Sequence, residues 1–174
     1  MINKYLLFCF LLIRMSLPVS AQDIISSFVD KHEKDDNLAI VSIGKKMLKT
    51  MDSLTDDNPD LKAAIKDLES IRIVSSKGED KDLDKEYFNT ARDLLSKSKG
   101  LKEFFSMDEQ DKGLIVMLRE SKDSIKELIL LSKQPDEFDL ISISGIIHLD
   151  VLLKYSEGLH IKELNQLKTI RRNQ

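Results

Sequence analysis

The chain has 174 residues, of which 33% are charged and 41% hydrophobic, and its formal net charge is -3 at pH 7. This acidic balance disfavours a nucleic-acid-binding protein, because such proteins neutralise phosphates with an excess of lysine and arginine. Cys9 is the only cysteine, so an intramolecular disulfide and a cysteine-rich metal site are excluded and packing has to stabilise the fold.

The N-terminal segment has the pattern of a secretory signal peptide. Lys4 precedes an apolar run from Leu6 to Ile13, and Val19-Ser20-Ala21 provides the small residues that signal peptidase requires. The run is shorter than the roughly 20 apolar residues of a membrane-spanning helix. We therefore predict that residues 1–21 are cleaved before Gln22, that the mature protein is periplasmic or extracellular, and that it has no stable membrane insertion.

Residues 22–174 predict a single α+β domain, since about 150 residues are one domain's worth of chain. The spacing of apolar residues and the turn signals predict alternating helices and strands before residue 100. In chain order these are a helix within 23–34, a strand near 38–43, a helix carrying Met47, Leu48, Met51 and Leu54, a helix carrying Leu61, Ala64, Ile65 and Leu68, a strand near 71–75, and a helix carrying Tyr87, Phe88, Ala91, Leu94 and Leu95.

The densest apolar runs follow, and they predict an antiparallel meander over about 102–145. Short polar turns separate the runs Leu114–Leu118, Ile125–Leu131 and Phe138–Ile143. Residues 101–107 fit either a helix or an alternating strand. We favour the strand, because the turn-like residues 108–113 would join it to the next run as a hairpin.

In the last strand of the meander, apolar and polar residues alternate. Ile141 and Ile143 point to one side, whereas Ser142 and Ser144 point to the other. This alternation predicts a two-layered fold with helices packed mainly on one face, buried isoleucines and a wetter serine face. After Gly145 a helix begins near Leu149, and residues 160–172 have the spacing of a tail helix.

Several segments together resemble a family of small exported bacterial proteins known as a domain of unknown function, number four-two-five-two. The resemblance covers nearly all of the predicted mature chain and implies an exported α+β domain with no assigned activity. Relatives typically have an acidic residue where this chain has His148. The residues that carry the resemblance are Val41–Leu48, Ile71–Ile73, Phe88, Arg92, Leu94–Leu95, Lys126–Leu130, Leu140–Gly145, Ile147 and Leu149.

Two motifs suggest ligand sites but fail in detail. Asp80, Asp82 and Asp84 have the alternation of a calcium loop, yet that loop needs a glycine at its sixth place and an acidic residue at its twelfth, which this chain lacks. Gly44-Lys45-Lys46 lies between a strand and a helix like a phosphate-binding loop, but the upstream glycine and the hydroxyl residue are missing. We predict a solvated, helix-capping charge run and a simple turn.

The histidines do not predict a catalytic or metal site. Ser144, His148 and Asp150 are the residue types of a hydrolytic triad, but they crowd one turn and lack a nucleophile-elbow motif. His148, Asp150 and His160 lack a zinc-ligand spacing, and His32 stands alone. We therefore assign no catalytic, cofactor-binding or metal-binding residue and no cofactor.

Three functions remain open. The first hypothesis is a non-enzymatic exported module that binds an unidentified protein or other envelope partner through a sheet face or a sheet edge. The second is an enzyme whose carboxylates and lysines converge only in three dimensions, and the third is an envelope regulatory or sensor protein. The sequence leaves the oligomeric state open. A deep pocket with ionisable groups would favour the enzyme, and an exposed apolar patch would favour binding.

Overall fold

A computed structural model describes residues 23–33, 35–54, 59–77, 80–122 and 124–154. Within these residues, five helices and six strands form an α+β domain, which confirms the predicted class. The helices are α1 (Ile24–Lys31), α2 (Lys45–Leu54), α3 (Pro59–Ile65), α4 (Lys81–Lys97) and α5 (Leu149–Lys154). The strands are β1 (Leu38–Gly44), β2 (Leu68–Ser76), β3 (Lys102–Asp108), β4 (Gly113–Ser121), β5 (Ser124–Gln134) and β6 (Glu137–Ile147).

The six strands form one antiparallel sheet in the order β1-β2-β6-β5-β4-β3. Strands β3 to β6 are the predicted meander, and segment 101–107 is a strand rather than a helix. The hairpin turn between β3 and β4 is closed by a hydrogen bond from the amide of Glu109 to the carbonyl of Lys112, at 2.7 Å. Strands β1 and β2 extend the sheet beyond β6, so β1 and β3 are its two edges.

Helices cover both faces of the sheet, which corrects the prediction that they pack mainly on one. On the front face, Leu48 of α2, Ile65 of α3 and Leu152 of α5 join Ile141 and Ile143 in one apolar cluster. On the back face, side chains of α1 and α4 pack against a second cluster, whose members include Phe28, Tyr87, Phe88, Ile129 and Leu140. The fold is therefore three-layered, with the sheet in the middle.

The predicted alternation on β6 is confirmed, but the predicted wetter face is wrong. Ile141 and Ile143 are buried as expected, and Ser142 is also buried, at 6% exposure. Ser144 is half-buried and shares a 2.7 Å hydrogen bond with Ser70 of β2. Two serines on β6 did not predict whether the back face is buried, because the neighbouring strands β2, β5 and β4 contribute apolar side chains to that face.

Element ends depart from the sequence pattern at two places. The helix expected to include Leu68 ends at Ile65, and Leu68 instead begins β2 as a buried strand residue. Gly145 has φ +130°, and a Cβ atom there would approach the Leu68 Cα atom to 2.6 Å. The register between β2 and β6 shifts at this point, so glycine is required where the two backbones crowd together.

Some predictions lie outside the described residues. These are the signal peptide 1–21, the cleavage before Gln22 and the tail helix at 160–172. No helix in the described ranges has the combination of length and apolar character that crossing a membrane would need.

Candidate functional site

Three of the five exposed large hydrophobic residues among the described side chains lie on the edge strand β1 or at the start of α2, which follows it. Ile40 and Val41 are each 49% exposed, and Met47 at the start of α2 is 56% exposed. Val41 stands opposite Ile73 and Ile40 opposite Val74, so the two residues belong to the front and the back face respectively. Each face of the sheet therefore ends at this edge in an exposed β-branched side chain.

The backbone of β1 is regular and uncharged. Its register with β2 runs without a shift from Leu38 opposite Ser76 to Gly44 opposite Ser70. The strand sequence, LAIVSIG, has no charge and no proline. Natural edge strands usually carry lysine, proline or a bulge that prevents a further strand from pairing with them. This edge has none of the three.

The hydrogen bonds to β2 determine which backbone groups of β1 face outward. The amide of Lys77 donates to the carbonyl of Asn37 at 2.9 Å, and these two residues continue the β1–β2 register by one pair. In an antiparallel pair, hydrogen-bonded and non-hydrogen-bonded positions alternate. The N–H and C=O groups of Leu38, Ile40, Ser42 and Gly44 therefore point away from β2, toward the side of β1 on which no strand of the described residues lies.

The other edge, β3, differs in charge and in regularity. It carries Lys102, Glu103 and Asp108, and its register with β4 shifts between Glu103 and Phe105. Phe104 is exposed at 59%, so an apolar side chain is present there too. The charges and the irregular register make β3 a protected edge, whereas β1 is unprotected.

The chain entering β1 is held by a polar anchor. The Tyr87 hydroxyl of α4 donates a hydrogen bond to Asp35 Oδ2, and Asp35 Oδ1 accepts from the amide of Asn37 at 3.0 Å. The hydrogen bond from Tyr87 lowers the pKa of the Asp35 carboxyl below its usual 3.8. Burial, followed by the neighbouring Asp35, raises the pKa of the Tyr87 phenol above its usual 10.0. The anchor therefore holds a charged carboxylate and a neutral phenol at neutral pH.

An aromatic cluster lies behind this anchor. The ring of His32 is 4.6 Å from that of Phe28 and 5.1 Å from that of Tyr87, and Phe28 stacks on Phe138 at 5.4 Å. His32 Nδ1 lies 3.9 Å from Asp35 Oδ2. Aromatic packing of this kind rigidifies a structure. The cluster thus fixes the end of α1 and the approach to β1.

The part of the chain that forms the sheet matches a known protein family. A family model described as "Domain of unknown function (DUF4252)" matches residues 32–155, well over half of the chain. The chain belongs to the DUF4252 family. The matched part of this DUF4252 member includes both sheet edges, β1 and β3. No curated protein matches the chain. No solved structure matches it either.

The acidic run of this DUF4252 chain, Asp80, Asp82 and Asp84, lies at the N-terminus of α4. Asp80 is the N-cap of α4, and its carboxylate accepts from the amides of Asp82 at 2.9 Å and Leu83 at 3.3 Å. Asp82 is exposed, whereas Asp84 is 2% exposed and so is not part of a solvated run. Within the described ranges no three His, Cys, Asp or Glu residues are grouped to hold a metal.

The residues of the remaining sequence motifs lie at the junction of β1 and α2 and around the end of β6. Gly44 ends β1 and Lys45 begins α2 directly, and both lysines of the motif are exposed. His148 Nε2 lies 3.7 Å from Asp67 Oδ2, while Ser144 is hydrogen-bonded to Ser70. Ser144 and His148 therefore have partners other than each other. His160 lies outside the described residues.

Two surface depressions of the described chain are open and lined by polar and charged residues. One of about 470 Å³ lies between α1 and α4 and is lined by charged and polar side chains, among them Lys31, Lys85 and Glu86. A second, of about 410 Å³, lies beside the turn between β5 and β6, at Lys77 and Asp136. Small-molecule sites are mostly apolar clefts with a few convergent polar groups. Neither depression has that character.

Sequence reasoning missed the residues that distinguish this site. Asp35 and Tyr87 are 52 residues apart, so their hydrogen bond leaves no local pattern. The edge position of β1 depends on the strand order, which the apolar runs do not specify. One signal was present, because the strand 38–43 contains no charged residue although 33% of the chain is charged.

Proposed function

We propose that this DUF4252 protein is a non-enzymatic module that binds a protein partner by accepting an extended segment as an added strand along β1. The observation that carries the proposal is the absence of charge, proline and bulge from this exposed edge. In strand addition, main-chain hydrogen bonds supply affinity and alternate side chains supply selectivity. The outward N–H and C=O groups of Leu38, Ile40, Ser42 and Gly44 are suited to the first role.

The side chains of β1 favour a particular kind of segment. Val41 on the front face and Ile40 on the back face are both half-exposed and apolar. A strand lying beside them would place successive residues on alternate faces. Partners with β-branched or aromatic residues at neighbouring positions would therefore bury apolar surface on both sides, and a charged residue at the centre would be disfavoured.

The distribution of covered surface supports an edge rather than a face. Ser142, at the centre of the face expected to be wetter, is buried beneath the helix layer. Replacing it would therefore affect packing before it affected partner capture. Open polar depressions give little support to the alternative of an enzyme, which would need a more enclosed site.

The proposal is tested by selecting peptides from a displayed random library against the full chain. We expect selected peptides to have apolar residues at neighbouring central positions, since both faces of β1 offer apolar contacts. Val41→Lys should weaken their binding by at least about tenfold, a loss of about 1.4 kcal/mol. The matched control is Phe104→Lys on β3, which changes an equally exposed apolar residue.

Equal weakening by the two variants would contradict the proposal, because the binding would not depend on the β1 edge. Failure to select any peptide that discriminates the wild type from Val41→Lys would also contradict it.

We also propose that the protein acts after export, with its partner in the cell envelope or outside the cell. Lys4, the apolar run Leu6–Ile13 and Ala21 support this place of action. Intact-mass analysis of protein recovered from its host should give a chain beginning at Gln22. A recovered chain that retains the apolar run would contradict the proposal.

A further inference from the structure

We propose that the segment bound by β1 is β1 of a second copy of this chain, paired antiparallel with Val41 on the two-fold axis. The two sheets would then continue through the contact as one sheet. This inference rests on the proposed function, because it names the occupant of the same edge. It is carried by three independent properties of β1, namely its outward backbone groups, its side chains and the charges at its two ends.

The backbone restricts how two copies can pair. Outward-facing groups belong to even-numbered residues of β1, so hydrogen-bonded pairs across the contact have to join even-numbered residues of both copies. An antiparallel arrangement centred on Val41 satisfies this condition. It pairs Ile40 with Ser42 of the second copy and Leu38 with Gly44 of the second copy. Val41 then faces its own counterpart at a non-hydrogen-bonded position, where side chains come closest.

The side chains are self-complementary in this register. On the front face the two Val41 side chains meet directly across the axis. On the back face the two Ile40 side chains are diagonal neighbours, which remain within reach across a strand pair. Each residue is 49% exposed in the single chain. The contact would therefore cover an exposed β-branched residue on both faces at once, beside a serine and a glycine that leave room.

The charges at the ends of β1 favour antiparallel self-pairing. Asp36 precedes the strand, Lys45 and Lys46 follow it, and all three are exposed. The register centred on Val41 brings Asp36 of each copy toward Lys46 of the other, at both ends of the contact. A parallel arrangement would instead bring acidic ends together and basic ends together. Charge complementarity of this kind fixes orientation and register.

The difference between the protected edge β3 and the unprotected edge β1 makes the pairing specific. Lys102 and Glu103 on β3, together with its irregular register, oppose the addition of a strand there. The regular, uncharged edge with which β1 can pair is therefore β1 of another copy. Pairing through this edge closes after two copies because the interface is isologous, so a dimer rather than a fibre is expected.

The register is tested by cysteine cross-linking in the full chain with its native thiol removed by Cys9→Ser. Val41→Cys should form a disulfide-linked dimer under mild oxidation, since Cα atoms at a non-hydrogen-bonded pair are about 4.5 Å apart, within the range of about 4.4–6.8 Å that a disulfide spans. The matched control Phe104→Cys, also on an exposed edge, should cross-link at least about tenfold more slowly because it lacks a fixed counterpart. Equal rates would overturn the proposal.

The end charges provide a second test that does not depend on cysteine geometry. Asp36→Lys should weaken the dimer in analytical ultracentrifugation at low salt, because lysines then meet at both ends. Adding Lys46→Asp to the same chain should restore association, and high salt should reduce the difference between these variants. Because both positions are exposed, folding is expected to be unaffected, and circular dichroism checks this.

The outcomes separate this inference from the proposed function. A chain that remains monomeric at all concentrations, yet binds library peptides in a manner sensitive to Val41→Lys, overturns the second copy as occupant and leaves strand addition intact. A dimer that is unaffected by Val41→Lys and by Asp36→Lys overturns the pairing of β1 with itself. The proposed function and the dimer are both supported if Val41→Lys loses peptide binding and dimer formation while Phe104→Lys retains the two.

Discussion

The two edges of the sheet are equally apolar at one position but differ in everything that controls strand pairing. Val41 on β1 and Phe104 on β3 are both about half exposed. Yet β3 carries charges and an irregular register, whereas β1 is uncharged and regular throughout. Exposed apolar side chains alone therefore do not identify a binding surface. Under the proposed strand addition, the neighbouring backbone decides which edge can bind, because a partner strand has to make hydrogen bonds along it.

The largest expected loss of stability comes from a substitution in the core, which should destabilise the whole sheet and therefore both edges. Ile141 of β6 lies in the interior of the sheet at 2% exposure, so Ile141→Ala should lower the free energy of unfolding by about 2–5 kcal/mol through lost burial and a cavity. Urea denaturation measures this loss. The matched control is Ile146→Ala on the same strand, where the side chain is 41% exposed.

Ile146→Ala should cost clearly less than Ile141→Ala, since less apolar area is removed from a buried position. Equal losses for the two isoleucines would show that burial on β6 is not distributed as described.

A smaller effect should separate the β1 edge from the β3 edge. The hydrogen bond between Tyr87 and Asp35 holds the chain entering β1, whereas the chain entering β3 is held by a different contact, from Arg119 Nη1 to the carbonyl of Lys99. Tyr87→Phe keeps the ring packing and removes the donor, so we expect a loss of about 1.5 kcal/mol at pH 7 by urea denaturation. Hydrogen exchange should quicken in β1 and not in β3.

The loss caused by Tyr87→Phe should depend on pH. The folded-state pKa of Asp35 lies below 3.8, so its contribution to stability is complete above that pH. It is lost as the pH falls from 3.8 through the lowered pKa. The wild type and Tyr87→Phe should therefore converge in stability in acid. A difference that stays constant or grows below pH 3.8 would contradict the role of the Asp35 carboxylate.

The smallest effect on stability is expected at the edge residues themselves. Val41→Lys and Phe104→Lys should each change the free energy of unfolding by less than about 0.5 kcal/mol, because both side chains are exposed. Thermal or urea unfolding at a dilution where the chain is monomeric checks this, because dimer formation would itself stabilise the wild type. A loss of several kcal/mol in Val41→Lys would mean that any loss of binding in that variant reflects unfolding rather than a blocked edge.

The sequence contained most of the elements but little of their arrangement. Ile141 and Ile143 could be predicted as buried because alternation on a strand is a local property. The second helix layer could not be predicted from Ser142 and Ser144, because burial of the back face depends on α1 and α4 and on apolar residues of other strands. Leu68 continued the helical spacing of α3 but became a strand residue, since tertiary packing overrides local periodicity.

The candidate site was less predictable still. The residues that resemble the DUF4252 family are core and turn residues, and none of them indicates which strand lies at an edge. That β1 is unprotected follows from the strand order together with the absence of charge in its sequence. The anchor between Asp35 and Tyr87 joins residues from distant parts of the chain, so only the folded structure brings them together.

The most direct test of the central claim is amide hydrogen exchange along the two edges, measured residue by residue by NMR in dilute and in concentrated protein. In dilute solution the amides of Ile40 and Ser42 should exchange quickly, since they point away from β2. In concentrated solution, or with a selected peptide added, these two amides should become protected, while the amides of β3 should not change. Protection that appears on β3, or on neither edge, would contradict the account.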